Sequence, residues 1–371
     1  MTDLKVAIIG CGGIANAHAG AWINAGGGAL AACADISAEA LEKFGEKYGI
    51  PGRYENYVEM LERERADVVH VCTHHHLHAE MVIKAAEFKP RAIVCEKPIA
   101  LSLGDADDMI GACSRNGVLF VVTHQRRLAL TNELAKEALD AGEIGELKEI
   151  QCGLHPWSSL LIDGTHLLDL VFKFMDDSPA RFVFGNVYSY SARRAWGHQN
   201  EDGAFGMVRF ANGKAARFST GGFVNPESMA HDMEYSLMPG VDGPAYYNLT
   251  LYGTKGFIEV LGDDGGGPPD KPMARAVGVN GERILLTAGE YLEAGKRWGF
   301  QKVVECLKQS LETGAPHPLD AKYSRNPLEV ITAMGISARD RSPVYLPLNI
   351  RDNPLLPYID GEAERRKGKP L

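Results

Sequence analysis

A doubly wound α/β domain followed by an α+β domain with a large, mainly antiparallel open sheet is the fold this sequence predicts, on three observations. The first third of the chain alternates short apolar runs with stretches of helical spacing. The opening apolar run ends in a glycine-rich turn. Past residue 124 the alternation gives way to strand patterns punctuated by turn signals.

The runs Lys5–Ile9, Leu30–Ala34, Val68–Cys72, Ala92–Cys95 and Val118–Val122 are short and continuously apolar, as strands of a parallel sheet buried on both faces are. Helical spacing fills the gaps, over Ile14–Ala25, Ala38–Tyr48, Tyr57–Arg63, Leu77–Phe88 and Leu103–Asn116. Alternation of this kind winds a parallel sheet and places ligands at the carboxyl ends of its strands.

The second half reads differently. A helix over Glu133–Ala141 leads to a strand at Leu147–Leu154 and an apolar helix at His166–Phe174. Strands follow at Arg181–Tyr190, Ala204–Phe210, Ala215–Thr220, Asn248–Tyr252 and Phe257–Val260, with Asn212-Gly213 a strong hairpin turn. Hairpin-linked strands of this kind suggest a mainly antiparallel sheet with helices on one face. Helices near Trp298–Glu312 and Asn326–Ser337 close this domain, Asp232–Tyr247 reads as a loop, and the charged tail Glu362–Leu371 as mobile. The expected domains are residues 1–124 and 125–371, because 371 residues exceed one comfortable core. No internal repeat is evident.

Composition narrows the function. Hydrophobic residues at 45% and charged residues at 23% are those of an ordinary soluble globular protein. A formal charge of −9 argues against nucleic acid or an anionic membrane as partner. Seven cysteines, scattered singly and without a CxxC pair, fit buried thiols in a reducing compartment. No leader pattern and no membrane-length apolar run is present, so a cytoplasmic location is expected.

Chemistry begins at Gly10-Cys11-Gly12-Gly13-Ile14-Ala15, a GxGxxA turn between a strand and a helix. Gly10 permits the tight turn, Gly12 lets a pyrophosphate touch the backbone, and Ala15 allows close helix–strand packing. Gly13 and Ile14 open the helix whose free N–H groups would meet the phosphates. The next strand runs into Asp35, where a ribose-binding carboxylate is expected, and no basic residue follows before Lys43. NAD is therefore favoured over NADP, whose 2′-phosphate Asp35 would repel. A glycine turn with an ordinary surface aspartate is the alternative. Farther on, a strand runs into Glu96-Lys97-Pro98, which puts a lysine where catalytic groups of this fold lie; the Lys97–Pro98 bond is a candidate for cis.

Several motifs occur together and in order. They are the GxGxxA turn, Asp35, Val71-Cys72-Thr73 with His74, His75, His76 and His78, and Glu96-Lys97-Pro98. Asp163-Gly-Thr-His166-Leu-Leu-Asp169, Leu251-Tyr-Gly253-Thr-Lys-Gly256 and Pro343-Val-Tyr-Leu-Pro347 follow. Over nearly its whole length the chain resembles the glucose-fructose oxidoreductase / inositol dehydrogenase / MocA family. The resemblance implies a Rossmann domain, a second domain whose open sheet often builds homodimers or homotetramers, and NAD(P)-dependent oxidation or reduction of a sugar, cyclitol or related polyol.

Carried over, the catalytic roles fall on His166 as general base and on Lys97, which holds the reacting hydroxyl and its charge. The family commonly has an aspartate four residues before this histidine, whereas Ile162 stands there and Asp163 lies three before it. Asp163 either orients His166 or caps the helix; Asp169 reads as structural. Thr73, His74, His78, Glu96 and Lys97 are expected around the cofactor, and Arg126 contacts cofactor or substrate or is an exposed linker residue. His155 and Trp157 are candidate substrate contacts, with core packing the rival reading of Trp157; Arg193, Arg194 and Trp196 read as surface loop. The histidine run invites a metal reading, but its place over the dinucleotide favours ribose contact or capping, and no metal is expected. Two other functions remain open. One is a redox-neutral epimerase, lyase or glycosidase that retains NAD; the other is a non-catalytic nucleotide- or sugar-binding regulator.

Overall fold

The computed structural model describes residues 3–154, 158–189, 194–195, 198–221, 246–263, 268–294 and 298–366. It divides into two compact units, residues 1–125 with 297–325, and residues 126–296 with 326–371.

In the first unit, β1 (Leu4–Ile9), α1 (Ala15–Ala25), β2 (Gly28–Ala34), α2 (Ala38–Tyr48), β3 (Gly52–Tyr54), α3 (Tyr57–Glu64), β4 (Val68–Val71), α4 (His78–Glu87), β5 (Ala92–Cys95), α5 (Leu103–Asn116) and β6 (Leu119–Val122) alternate as expected. The six strands lie in the order β3-β2-β1-β4-β5-β6, with all pairs parallel. Strands β4 and β5 are buried throughout, which is why their sequences show no polar alternation. The order reverses between β1 and β4, so the carboxyl ends of these two strands flank the switch point of the sheet. Ser37, Asn56 and Ser102 cap α2, α3 and α5 by accepting backbone N–H groups, whereas α1 has no side-chain cap.

The second unit holds α6 (Leu130–Asp140), β7 (Leu147–Leu154), α7 (Gly164–Phe174), β8 (Ala180–Tyr188), the short pair β9 (Arg194–Ala195) and β10 (His198–Gln199), β11 (Gly203–Phe210), β12 (Ala215–Gly221), β13 (Tyr247–Gly253), β14 (Gly256–Val260), β15 (Pro272–Gly278), β16 (Gly281–Thr287) and α8 (Ala288–Ala294). Next in the chain come α9 (Trp298–Thr313), which belongs to the first unit, then α10 (Ala321–Asp340), β17 (Val344–Tyr345) and α11 (Leu355–Arg366). Nine strands form one sheet, β16-β15-β14-β13-β7-β12-β11-β8-β17, antiparallel except where β7 meets β12. One face carries Ile150, Val208, Ala216 and Leu251, all buried; the other carries exposed Phe184, Phe205 and Tyr252. Paired Gly185 and Gly206 let α10 down onto the buried face: a Cβ on either would come within 2.5–2.6 Å of the Met334 sulfur.

Three features depart from the sequence reading. Helix α9 lies against α1 in the first unit, where Lys308 donates to the carbonyls of Ala25 and Gly26 at 2.8 and 2.9 Å and so caps the end of α1. Strands β15 and β16 extend the large sheet where no strands are expected. Residues Glu362–Arg366 continue α11 instead of belonging to a tail. Most of the expected loop Asp232–Tyr247, with Arg193 and Trp196, lies outside the described residues. Among the described residues no helix is long and apolar enough to cross a membrane.

One buried ion cluster supports α7. Arg127 donates to Asp169 at 2.8 Å and to both oxygens of Asp177 at 2.5 and 2.6 Å, with Arg127 and Asp169 almost fully enclosed. Asp169 is thus structural, as its sequence context suggests. Removing one partner leaves a buried charge, so Arg127→Leu is expected to cost about 3–5 kcal/mol in the second unit's urea transition. Adding Asp169→Leu should recover part of that loss; an unchanged midpoint in the single variant would show that the cluster carries no burial penalty.

Candidate active site

The carboxyl edge of the parallel sheet is built from local constraints. After β1 the chain turns at Gly10, with φ +91°, so close to β4 that a Cβ would lie 2.9 Å from the carbonyl carbon and oxygen of Cys72. A Cβ at Gly12 or Gly13 would meet nothing within 4 Å, which leaves an open cradle over the start of α1. No acidic residue stands in the first turn of α1, and Ile14 offers no capping atom. The free N–H groups and partial positive charge therefore face an anion unopposed. At the end of β2, the Asp35 carboxylate accepts the Cys11 N–H at 2.7 Å and the Ser37 N–H at 2.8 Å. Its unused lone pairs can still accept a ribose hydroxyl. Cradle, helix end and carboxylate together fit a dinucleotide.

Two strands along, β5 delivers Glu96 and Lys97 to the same edge. Glu96 is 5% exposed, lies 2.8 Å from Nε2 of His18, and accepts the Lys97 N–H at 3.3 Å. Burial would raise its carboxyl, but the hydrogen bond and electrostatics of neighbouring His18, followed by the Lys97 charge, outweigh burial and hold it below the usual carboxylate range. Lys97 is half-buried, and its peptide bond to Pro98 is cis.

The histidine run does not act as a group. His78 is fully buried, with Nδ1 2.9 Å from the Pro98 carbonyl and Nε2 3.1 Å from the Thr73 carbonyl. Burial pushes its imidazole down, so the neutral ring donates to one of the two. His78 thus ties α4 to the Lys97 turn through backbone. His74 is exposed and stacks on His76 at 6.0 Å, while Thr73 donates its hydroxyl to the Met81 sulfur at 3.3 Å.

In the second unit, His166 is the third residue of α7 and is 3% exposed. Asp163 occupies the N-cap position, but its side chain does not cap: the carboxylate accepts the Ser159 N–H at 2.9 Å and the Tyr246 hydroxyl. Its contacts therefore lie with Ser159 and Tyr246 instead of the His166 ring. Burial and the Asp163 charge push the Tyr246 phenol up, so it remains a donor. Arg126 pairs with Asp263 and lies 3.8 Å over the Tyr246 ring, whereas the sequence reading gave it to the cofactor, a linker or the substrate. His155 and Trp157 lie outside the described residues.

Residues 4–124 match the model of the GFO_IDH_MocA oxidoreductase family, NAD-binding Rossmann fold. The match assigns this N-terminal segment, about a third of the chain, to the NAD-binding domain of that family. It is 32% identical over 203 residues to D-apiose dehydrogenase of Paraburkholderia graminis, covering 51% of this chain and 52% of that protein. It is 30% identical over 213 residues to the 2,7-anhydro-N-acetylneuraminate hydratase of Escherichia coli, covering 52% and 51%. The chain thus spans about half the length of these relatives. The fold matches the WlbA dehydrogenase of Bordetella pertussis, solved with NADH and UDP-GlcNAcA, at a TM-score of 0.76 and 21% identity, over 94% of this chain and 99% of that one.

The matched segment is an NAD-binding Rossmann fold, and the cradle after β1 fits the dinucleotide. Sequence reasoning missed Tyr246 and Asp263. Tyr246 lies inside the segment read as a loop and Asp263 just past a strand, and no local pattern marks either one as facing Asp163 or Arg126. The glycine geometry makes a contrast that binding and stability measurements can separate. Gly12→Val should keep the melting temperature and weaken NAD binding by about tenfold or more, because its side chain enters only the cradle. Gly10→Ala should lower stability by about 1–3 kcal/mol, through strain at positive φ and collision with β4. Unimpaired NAD binding by Gly12→Val would remove the cradle from the site.

Proposed function

We propose that this protein is an NAD-dependent dehydrogenase that oxidises one secondary alcohol of a sugar, cyclitol or related polyol, or reduces the matching ketone. The observation that carries this reading is that one sheet edge presents both the anion cradle and Lys97, on β1 and β5, which flank β4. When bound, NAD supplies the hydride acceptor. The chain's own residues do the rest. Gly12, Gly13 and the start of α1 hold the pyrophosphate, and Asp35 holds the ribose and disfavours a 2′-phosphate. Lys97 donates a hydrogen bond to the reacting hydroxyl oxygen and stabilises charge that develops there. His166 takes the hydroxyl proton, a role suited to an imidazole near neutral pH. Tyr246, kept protonated, fixes Asp163 at the start of the helix that carries His166.

The similarity to the hydratase favours a second reading, a redox-neutral reaction on a sugar with no net change of NAD. Exposed Phe184, Phe205 and Tyr252 on the open sheet face support a homodimer or homotetramer, which light scattering of the purified chain tests directly.

The deciding assay adds NAD⁺ and a panel of cyclitols, aldoses, aldonic acids and uronic acids, and follows NADH. Net NADH is expected with one substrate class, with turnover lower by about 10²–10⁴-fold in Lys97→Ala and in His166→Ala. Near-normal turnover in either variant would refute the mechanism, and conversion of a sugar without net NADH would establish the redox-neutral reading. Asp35→Ala should lose about tenfold of the preference for NAD over NADP.

A further inference from the structure

Four polar side chains lie in a row beneath the Lys97 turn, each at least nine-tenths buried or packed inside the core. Trp22 of α1 donates its Nε1–H to Nε2 of His70 at 2.8 Å. Nδ1 of His70 lies 2.9 Å from Nδ1 of His18, and Nε2 of His18 lies 2.8 Å from Oε1 of Glu96. Trp22, His70 and His18 are at most 2% exposed, and Glu96 is 5% exposed.

Only one arrangement of protons satisfies this row. An indole N–H can only donate, so Nε2 of His70 must accept. The proton of neutral His70 then sits on Nδ1 and is donated to Nδ1 of His18. His18, accepting there, carries its own proton on Nε2 and donates it to Glu96. Burial opposes a charge on His18 while Cys72 and Glu96 favour one, and the latter outweigh burial. Yet a doubly protonated His18 would turn a second donor on His70, which would then have no place for its own proton. Burial also drives His70 well below the usual imidazole range, in keeping with a neutral ring. The same logic excludes a metal. His18, His70 and Cys72 bring ligand atoms within 4.8 Å of one another, but a metal on Nδ1 of His70 would leave a proton on Nε2, facing the Trp22 N–H.

We propose that Trp22, His70 and His18 form a one-way hydrogen-bond chain that presents a fixed donor to the Glu96 carboxylate, making His18 and His70 positioning residues for Lys97. Glu96 uses its other oxygen to accept the Lys97 N–H, so the chain reaches the lysine through backbone and places a negative charge beside it. Edge-on contact with Phe300 of α9, centroids 5.2 Å apart, closes the row on its open side. The consequence for turnover rests on the dehydrogenase reading of Lys97, but the chain itself is measured without substrate.

Two measurements on the full chain test it. Nitrogen NMR of isotope-labelled histidine, with His18→Gln and His70→Gln to assign the rings, should show His70 protonated on Nδ1 and His18 on Nε2. An imidazolium at either position, His70 protonated on Nε2, or tight uptake of one zinc ion per chain in dialysis against zinc alone would overturn the proposal. Competitive amine labelling of Lys97 at a fixed pH then reads how firmly its turn is held. In His18→Leu, Glu96 loses its donor, so the labelling rate of Lys97 should change by about threefold or more. In His18→Gln, which still donates, it should return to the wild-type value. Identical rates in all three proteins would refute the positioning role. Should His18→Leu fail to fold, the tautomers and the Gln variant still decide. Failure of the NADH assay with these results intact would reject the dehydrogenase reading alone.

Discussion

The close approach of Gly10 to the end of β4 is the constraint on which the functional edge depends. With the backbone of one strand end touching that of the next, the turn lies flat, and Cys11 presents its N–H to Asp35 instead of to water. The helix after the turn then starts directly above the switch point with no side chain capping its first turn. Parallel pairing does the remaining work. All six strands end on one side, so Asp35, Thr73 and Lys97 arrive at the same edge although they are dozens of residues apart. The GxGxxA letters matter because of this contact: Gly10 is fixed by collision and φ, Gly12 and Gly13 by the empty space they leave.

That division explains what a single sequence reveals. Continuous apolar strands and amphipathic helices are local patterns, so Ala38–Tyr48, Leu103–Asn116 and Leu147–Leu154 are read with the bounds found in the structure. Strand β3 has only three residues, too few to show a period. Outer strand β16 exposes Gly281–Arg283 and so lacks the alternation that betrays a half-buried strand. Helix α9 is legible as a helix, but a buried stripe does not say what it is buried against. The site divides in the same way. Gly10, Asp35 and Lys97 are legible because their tasks are set by neighbours in sequence. Tyr246, Asp263 and the His18 contact are not, since their partners lie 83, 137 and 78 residues away.

The protein solves the burial of charge in two different ways, and the difference follows from use. Beside α7, the Asp169 carboxylate is neutralised outright by Arg127, which shares itself with Asp177. Such a cluster holds elements together by sharing one guanidinium between two carboxylates. Glu96 faces the same desolvation cost without an arginine. Neutral donors, the His18 ring and the Lys97 backbone N–H, stabilise its charge without cancelling it. A carboxylate kept in this way remains a negative charge that the Lys97 ammonium can feel. An arginine in place of His18 would bury Glu96 as securely but cancel the negative charge it presents. A histidine pair, polarised by an indole that can only donate, supplies the stabilisation that a working lysine can coexist with.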